Sequence, residues 1–256
     1  SFGVQCISSR NSRSCCLNQM ETIMSAKLIV VAGIDGSGKE TQSAMLAAKF
    51  KEKGATVAVV SYPMYEKTLF GMLLDFVLKS KFTSLFPGSF SFANTDPLAA
   101  SLLYGADRRQ SLPVLKKLIE ENDIVIFDRY VEANLIHQGG KLRSDSERLA
   151  FANKIMQIEY DLLELPRPDV TIYLHIPYEV SMERARKRAA QRKETPDAVE
   201  VNLEYVKNSY LAGQLFSIHL KWEEVSGVAN PHGEAPYDEL TADQIHEKIC
   251  VALGIE

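Results

Sequence analysis

An apolar run, Lys27 to Ala32 (KLIVVA), leads straight into Gly33-Ile34-Asp35-Gly36-Ser37-Gly38-Lys39 and then into a helical pattern. No other stretch restricts the fold as much. Glycines at 33, 36 and 38 let the backbone approach an anion closely with its amides turned inward, and a helix N-terminus behind them favours negative charge. The following residues carry Leu46, Ala47 and Phe50 as a buried face. In that strand–turn–helix context G-x-x-x-x-G-K reads as a phosphate-binding loop, with the backbone of Gly33, Gly36, Ser37 and Gly38 and the Lys39 ammonium as candidate ligands. The pattern next asks for Ser or Thr to bind magnesium, and the chain has Glu40. Two readings stay open. Glu40 is a hard oxygen ligand that reaches Mg²⁺ directly or through water, or it is a helix-start acid that complements the dipole while Thr41 or water serves the metal.

Beyond the loop, apolar runs alternate with helical periodicity, which is the pattern of a parallel sheet with crossover helices. Strands are predicted at 27–32, 55–60, 123–127 and 169–176, with a weaker edge candidate at 222–225. Leu69, Met72, Leu73, Phe76 and Val77 recur at helical spacing. Further helices are predicted at 39–53, 97–121, 147–164, 178–190, 199–219 and 241–253, with Pro113 breaking or kinking its helix. The stretch 80–95 reads as a surface excursion, and the polar run 186–198 (RKRAAQRKETPDA) has the charge of a mobile lid. Residues 1–24 are Ser-rich, with Arg10 and Arg13 and no acid before Glu21. They read as an unstructured extension, a cloning remnant or translation upstream of Met20 or Met24, or else as an organelle transit segment. The expectation is one domain over 25–256.

Composition narrows the function classes. With 29 Lys and Arg against 33 Asp and Glu, the chain has no general attraction for nucleic acid, so an anion site has to be built locally. Cysteines at 6, 15, 16 and 250 have neither zinc-ligand nor redox-motif spacing and read as reduced thiols of an intracellular protein. No apolar run approaches the length that spans a bilayer, so no membrane partner is expected. The expected compartment is the cytoplasm, or the nucleus or an organelle if the N-terminal segment is native.

A second motif, DIVIFDRYVEANLIHQGGKL at 123–142, places Asp128 and Arg129 at the carboxyl end of a buried strand, where open α/β sheets bind ligands. With GIDGSGKETQ, LLYGADRR at 102–109 and RPDVTIYLHIPYEVSMERARKR at 167–188, the chain resembles the thymidylate kinase family from Lys27 to its C-terminus. The resemblance implies an α/β fold: a three-layer P-loop kinase fold with a five-stranded parallel sheet, helices on both faces and a short lid. It also implies transfer of the γ-phosphoryl group of ATP to dTMP in dTTP synthesis, a need for Mg²⁺, and a homodimer.

Residue by residue, the resemblance assigns Asp35 to the acidic position facing the 3′-hydroxyl and phosphate of dTMP. Arg129 corresponds to the arginine that grips the acceptor phosphate, and Asp128 to the strand-end acid that positions magnesium and its waters. Tyr104 corresponds to the aromatic that stacks on thymine, although aromatics at helical spacing are as a rule core residues. Arg108, a turn later, corresponds to the arginine at the base edge, and Asn134 and Gln138 fall where relatives place polar groups against the base.

The chain departs from the family pattern at several places. Ala133 stands where some relatives have serine. After the second strand, Tyr65 and Lys67 replace an arginine; Lys67 is either a substitute point charge or a solvated lysine. Gly36 stands where some members carry a phosphate-loop arginine, so cationic help for the migrating phosphoryl has to come from the lid. The candidates are Arg184, Arg186, Arg188 and Arg192, with the resemblance favouring Arg184 and Arg188 near the lid's base and Arg192 inside it.

Three other functions share parts of this pattern. Another nucleotide or deoxynucleoside kinase would differ only in its acceptor. A GTPase switch would need Asn-Lys-x-Asp, whereas Asn153-Lys154 is followed by Ile155 and Met156. A non-catalytic nucleotide-binding module would need fewer converging charges than Lys39, Asp128, Arg129 and an arginine-rich lid supply.

Overall fold

The computed structural model describes residues 26–78, 95–192, 202–231, 233 and 235–255, the side chains of 188–192 excepted. The N-terminal extension, nearly all of the 80–95 excursion and the outer part of the expected lid lie outside the described residues.

Five parallel strands form one sheet: β1 (Lys27–Ala32), β2 (Val57–Ser61), β3 (Ile124–Asp128), β4 (Val170–His175) and β5 (Glu223–Ser226), in the order β2-β3-β1-β4-β5. β1 is central, and Ile29, Val30 and Val31 are fully buried, because helices cover both faces of a parallel sheet and leave no polar side to alternate with. One covering layer packs Leu46 and Phe50 of α1 (Lys39–Glu52) and Ile245 and Ile249 of α8 (Ala242–Leu253) against Ile29 and Val31. The other packs Val30 and Phe127 against Leu112 and Leu115 of α3 (Pro97–Glu121), Leu135 of α4 (Val131–Gly139), Phe151 of α5 (Asp145–Met156) and Phe216 of α7 (Leu203–His219). α2 (Leu69–Leu78) and α6 (Tyr178–Arg192) complete the set of α-helices among the described residues.

The chain runs from β1 to one side of the sheet for β2 and β3 and later to the other side for β4 and β5. That reversal leaves a crevice at the carboxyl end of β1, the place where such sheets take ligands. Register sets its floor: Val31 pairs with Asp128, and Ser61 pairs with the same Asp128 from the other side.

Several predicted boundaries move, each for a local reason. β2 begins at Val57 because Thr56 is bonded to the Asp123 side chain through both its amide and its hydroxyl, at 2.7 Å each. α3 runs unbroken through Pro113, which lies on the exposed side, so the carbonyl it leaves unpaired can bond water. The predicted 147–164 helix starts earlier, on a Ser144–Glu147 capping box, and gives way to a π-helical turn at Gln157–Leu162. α4 has no counterpart among the predicted helices.

Candidate active site

At the carboxyl end of β1 the loop takes backbone shapes that only glycine adopts cheaply. Gly36 has φ 80° and Gly38 φ 93°, and Gly38 caps α1 in the left-handed region. A Cβ on Gly36 would collide with the Ser181 carbonyl oxygen of α6. The same serine's hydroxyl donates to the Asp35 carbonyl. The loop is thus seated on the start of α6, which explains why no side chain, arginine included, fits at position 36.

This loop forms one end of a cavity of about 990 Å³. Lys39 is buried, and its Nζ donates to the Ile34 carbonyl at 2.8 Å and lies 3.9 Å from Asp35 Oδ1. The same Asp35 oxygen stands 2.6 Å from an Arg129 Nη. Arg129 follows β3 with φ 67°, a left-handed conformation for a side-chain-bearing residue, of a kind that collects at ligand sites. Burial alone would raise the Asp35 pKa, but the Arg129 guanidinium and the Lys39 ammonium hold it well below the usual carboxylate range. Asp35 in turn raises that of Arg129.

Asp128 Oδ2 accepts from Ser61 at 3.3 Å, while its Oδ1 is buried without a hydrogen-bond partner. Glu40 and Thr41 are exposed at the cavity rim. Among the described residues no group of three or more His, Cys, Asp and Glu is arranged to hold a metal. Magnesium needs no such cage, since it takes one or two carboxylates and completes its shell with phosphates and water. An orphaned oxygen on Asp128, which lines the same cavity as the phosphate loop and Glu40, fits that requirement.

The far end of the cavity is walled by Tyr104 and Arg108 of α3, Asn134 and Gln138 of α4, and Tyr205 of α7. Arg108 is buried and bonded through Nε and Nη2 to Glu159, at 2.6 and 2.7 Å. Asn134 donates to the same carboxylate. Gln138 is buried with its Oε1 unpartnered.

Other sequence-predicted residues fall elsewhere. Lys67 is exposed and outside the cavity wall, because the segment after β2 turns Pro63 and Tyr65 toward the cavity instead. Arg184 is also outside the wall, ion-paired with Glu239 at 2.8 Å. Arg186 is exposed, and the side chains of Arg188 and Arg192 lie outside the described residues.

Sequence reasoning missed His137 and Tyr205. Their rings stack, 6.1 Å apart at 11°, inside the cavity wall. Burial, aided by Arg129 and Lys39 and only partly opposed by Asp35, pushes the His137 pKa down to about 4, so the ring is neutral near pH 7. The signal for His137 was its place one turn beyond Ala133 on the helix that carries Asn134 and Gln138; Tyr205 left no local signal.

Fold and site together define a P-loop kinase: a glycine loop with its lysine, a second cation at the end of the neighbouring strand, and a cavity between them. The family model for thymidylate kinase matches residues 31–212. The probable thymidylate kinase of Pyrococcus abyssi is 34% identical over 167 residues, 64% of this chain and 72% of that protein. The thymidylate kinase of Mycobacterium tuberculosis is 29% identical over 162 residues, 63% of this chain and 72% of that protein. The chain belongs to the thymidylate kinase family, enzymes that phosphorylate dTMP. The solved thymidylate kinase from Candida albicans shares the fold, with a TM-score of 0.60 at 20% identity, covering 90% of this chain and 92% of that one.

Proposed function

We propose that this protein transfers the γ-phosphoryl group of ATP to dTMP, giving ADP and dTDP, on the way to dTTP. The observation that carries the reading is the single Asp35 oxygen shared by Lys39 and Arg129. It holds a donor-side cation and an acceptor-side cation at one end of one cavity, so phosphates bound by the two would be neighbours. Lys39 and the loop amides hold the β- and γ-phosphates of ATP. The planar fork of Arg129 holds the phosphate of dTMP, one of whose oxygens attacks the γ-phosphorus in line as ADP leaves. Asp35 orients Arg129 and faces the sugar 3′-hydroxyl. Tyr104 stacks on the base, with Arg108, Asn134 and Gln138 at its edge.

Asp128 and Glu40 would hold Mg²⁺, directly or through water. When bound, the ion offsets charge on the transferred group. On the family resemblance, Arg188 and Arg192 supply further positive charge, while Arg184 is engaged by Glu239. A single domain over 25–256, a homodimer and a cytoplasmic home are part of the same proposal.

A coupled ADP-release assay across dTMP, dUMP, UMP, CMP and thymidine tests it. The expected result is magnesium-dependent turnover that is fastest with dTMP. Turnover with thymidine but with no monophosphate, or none with any acceptor, would overturn it.

A further inference from the structure

Two side chains from separate elements, Arg108 of α3 and Asn134 of α4, meet at one carboxylate that does not itself line the cavity. Glu159 lies in the π-helical turn and is 1% exposed. It takes the Arg108 Nε–Nη2 edge as a fork, and its Oε1 also accepts from Asn134 Nδ2 at 2.7 Å. That nitrogen donates as well to the Ser101 carbonyl, at 3.2 Å. Both partners of the amide nitrogen, a guanidinium-bound carboxylate and a backbone carbonyl, are acceptors only. The Asn134 amide is therefore held one way round. Turned over, its oxygen would face two acceptors inside the protein and lose two bonds. Held as it is, the oxygen is the group left to offer to the cavity. Arg108 has spent its Nε and one Nη2 hydrogen on Glu159 and one Nη1 hydrogen on the Tyr130 carbonyl at 3.4 Å. Two of a guanidinium's five N–H donors remain.

We infer that Glu159 is a positioning residue that fixes the hydrogen-bond polarity of the base-facing wall, and through it the class of pyrimidine accepted. Arg108 offers donors and Asn134 an acceptor. Thymine and uracil present a carbonyl oxygen beside a ring N–H and match that wall. Cytosine presents an amino group beside a bare ring nitrogen, so donor meets donor and acceptor meets acceptor. The inference rests on the reading of the cavity as the acceptor-nucleotide site. The π-helical turn makes the arrangement attainable, since it carries the adjacent Glu159 and Tyr160 both into the interior.

Calorimetric affinities for dTMP and dCMP, with initial rates for each, decide the matter on wild type, Glu159→Gln and Glu159→Asp. Glutamine can donate as well as accept, which frees the Asn134 amide to turn over. Aspartate keeps the charge opposite Arg108, and with it the fold, but is too short to hold Arg108 and Asn134 together. The expected result is a wild type that prefers dTMP and variants whose dTMP-to-dCMP preference falls about tenfold, with KM for ATP unmoved. A merely structural role would weaken both nucleotides in parallel and leave the ratio intact, and that result overturns the inference, as does a wild type without preference. A wild type that binds dTMP over dCMP yet transfers no phosphoryl group would sink the kinase reading while leaving the role of Glu159 standing.

Discussion

The two ends of the cavity are built by different means. At the phosphate end, Asp35 and Lys39 come from one short loop, and Asp128 and Arg129 from the tip of the strand paired beside it. Charge is concentrated there, and backbone shape does much of the positioning. At the base end, Arg108, Asn134 and Glu159 come from three elements as many as 51 residues apart in sequence, and side-chain hydrogen bonds do the positioning. Chemistry common to any phosphate can be encoded locally. Discrimination between bases needs a wall assembled by the tertiary fold, because it depends on which way individual donors and acceptors point.

Substitutions can break that division. Arg129→Ala should have the largest effect, lowering kcat/KM for dTMP by about a thousandfold. The dTMP-to-dCMP ratio should stay near its wild-type value in parallel assays, and a collapsed ratio would mean that the two ends are not separable. Gly36→Ala comes next. It forces a side chain onto φ 80° and against the Ser181 carbonyl, so stability should fall by about 3 kcal/mol in urea denaturation, with activity falling alongside.

Glu132→Gln tests, through pH, the packing of α4 on the π-helical turn behind the base end. Burial raises the Glu132 pKa to about 7, despite the bond it accepts from the Tyr160 hydroxyl. The folded state therefore holds a proton that the unfolded chain releases near pH 4.5, and the stability this gives is full below that pH and lost as pH rises through 7. Glutamine keeps the neutral form, so the variant should gain on wild type by about 2 kcal/mol between pH 5 and pH 8. Thermal melts at the two pH values would show it; a constant difference would mean that Glu132 titrates normally. The smallest effect is expected for Arg184→Ala. With the arginine on Glu239 and outside the cavity wall, kcat should change by less than about twofold. A larger loss would bring Arg184 itself into the phosphate end after all.

The same division explains what could be read from the chain unaided. The central strands and the loop were legible because buried parallel strands are continuous apolar runs and because a glycine–lysine turn is a local pattern. Asp128 and Arg129 were legible as a strand-end pair. Which of its two readings Lys67 follows was not legible, because the course of the chain after β2 is set by packing against α3, where Asp107 accepts the Met64 amide and the Thr68 hydroxyl, and no spacing in the sequence records it. Arg184 reads as a lid cation until Glu239, 55 residues away, is folded against it. Glu159 gave no signal, since one acid in a helical stretch looks solvated, and its burial follows from a change of helical hydrogen bonding that periodicity cannot announce.

That change in winding has a genetic corollary. In the π-helical turn the Leu163 amide bonds five residues back, to the Ile158 carbonyl, so the segment contains one residue more than an ordinary helix would use to cover the same path. Removing a residue there other than Glu159 would let regular winding resume and swing the acid away from its two partners, with every interacting side chain still present in the gene. A three-nucleotide deletion is then a second route to a relaxed base preference in a descendant of this protein, beside a missense change at Glu159.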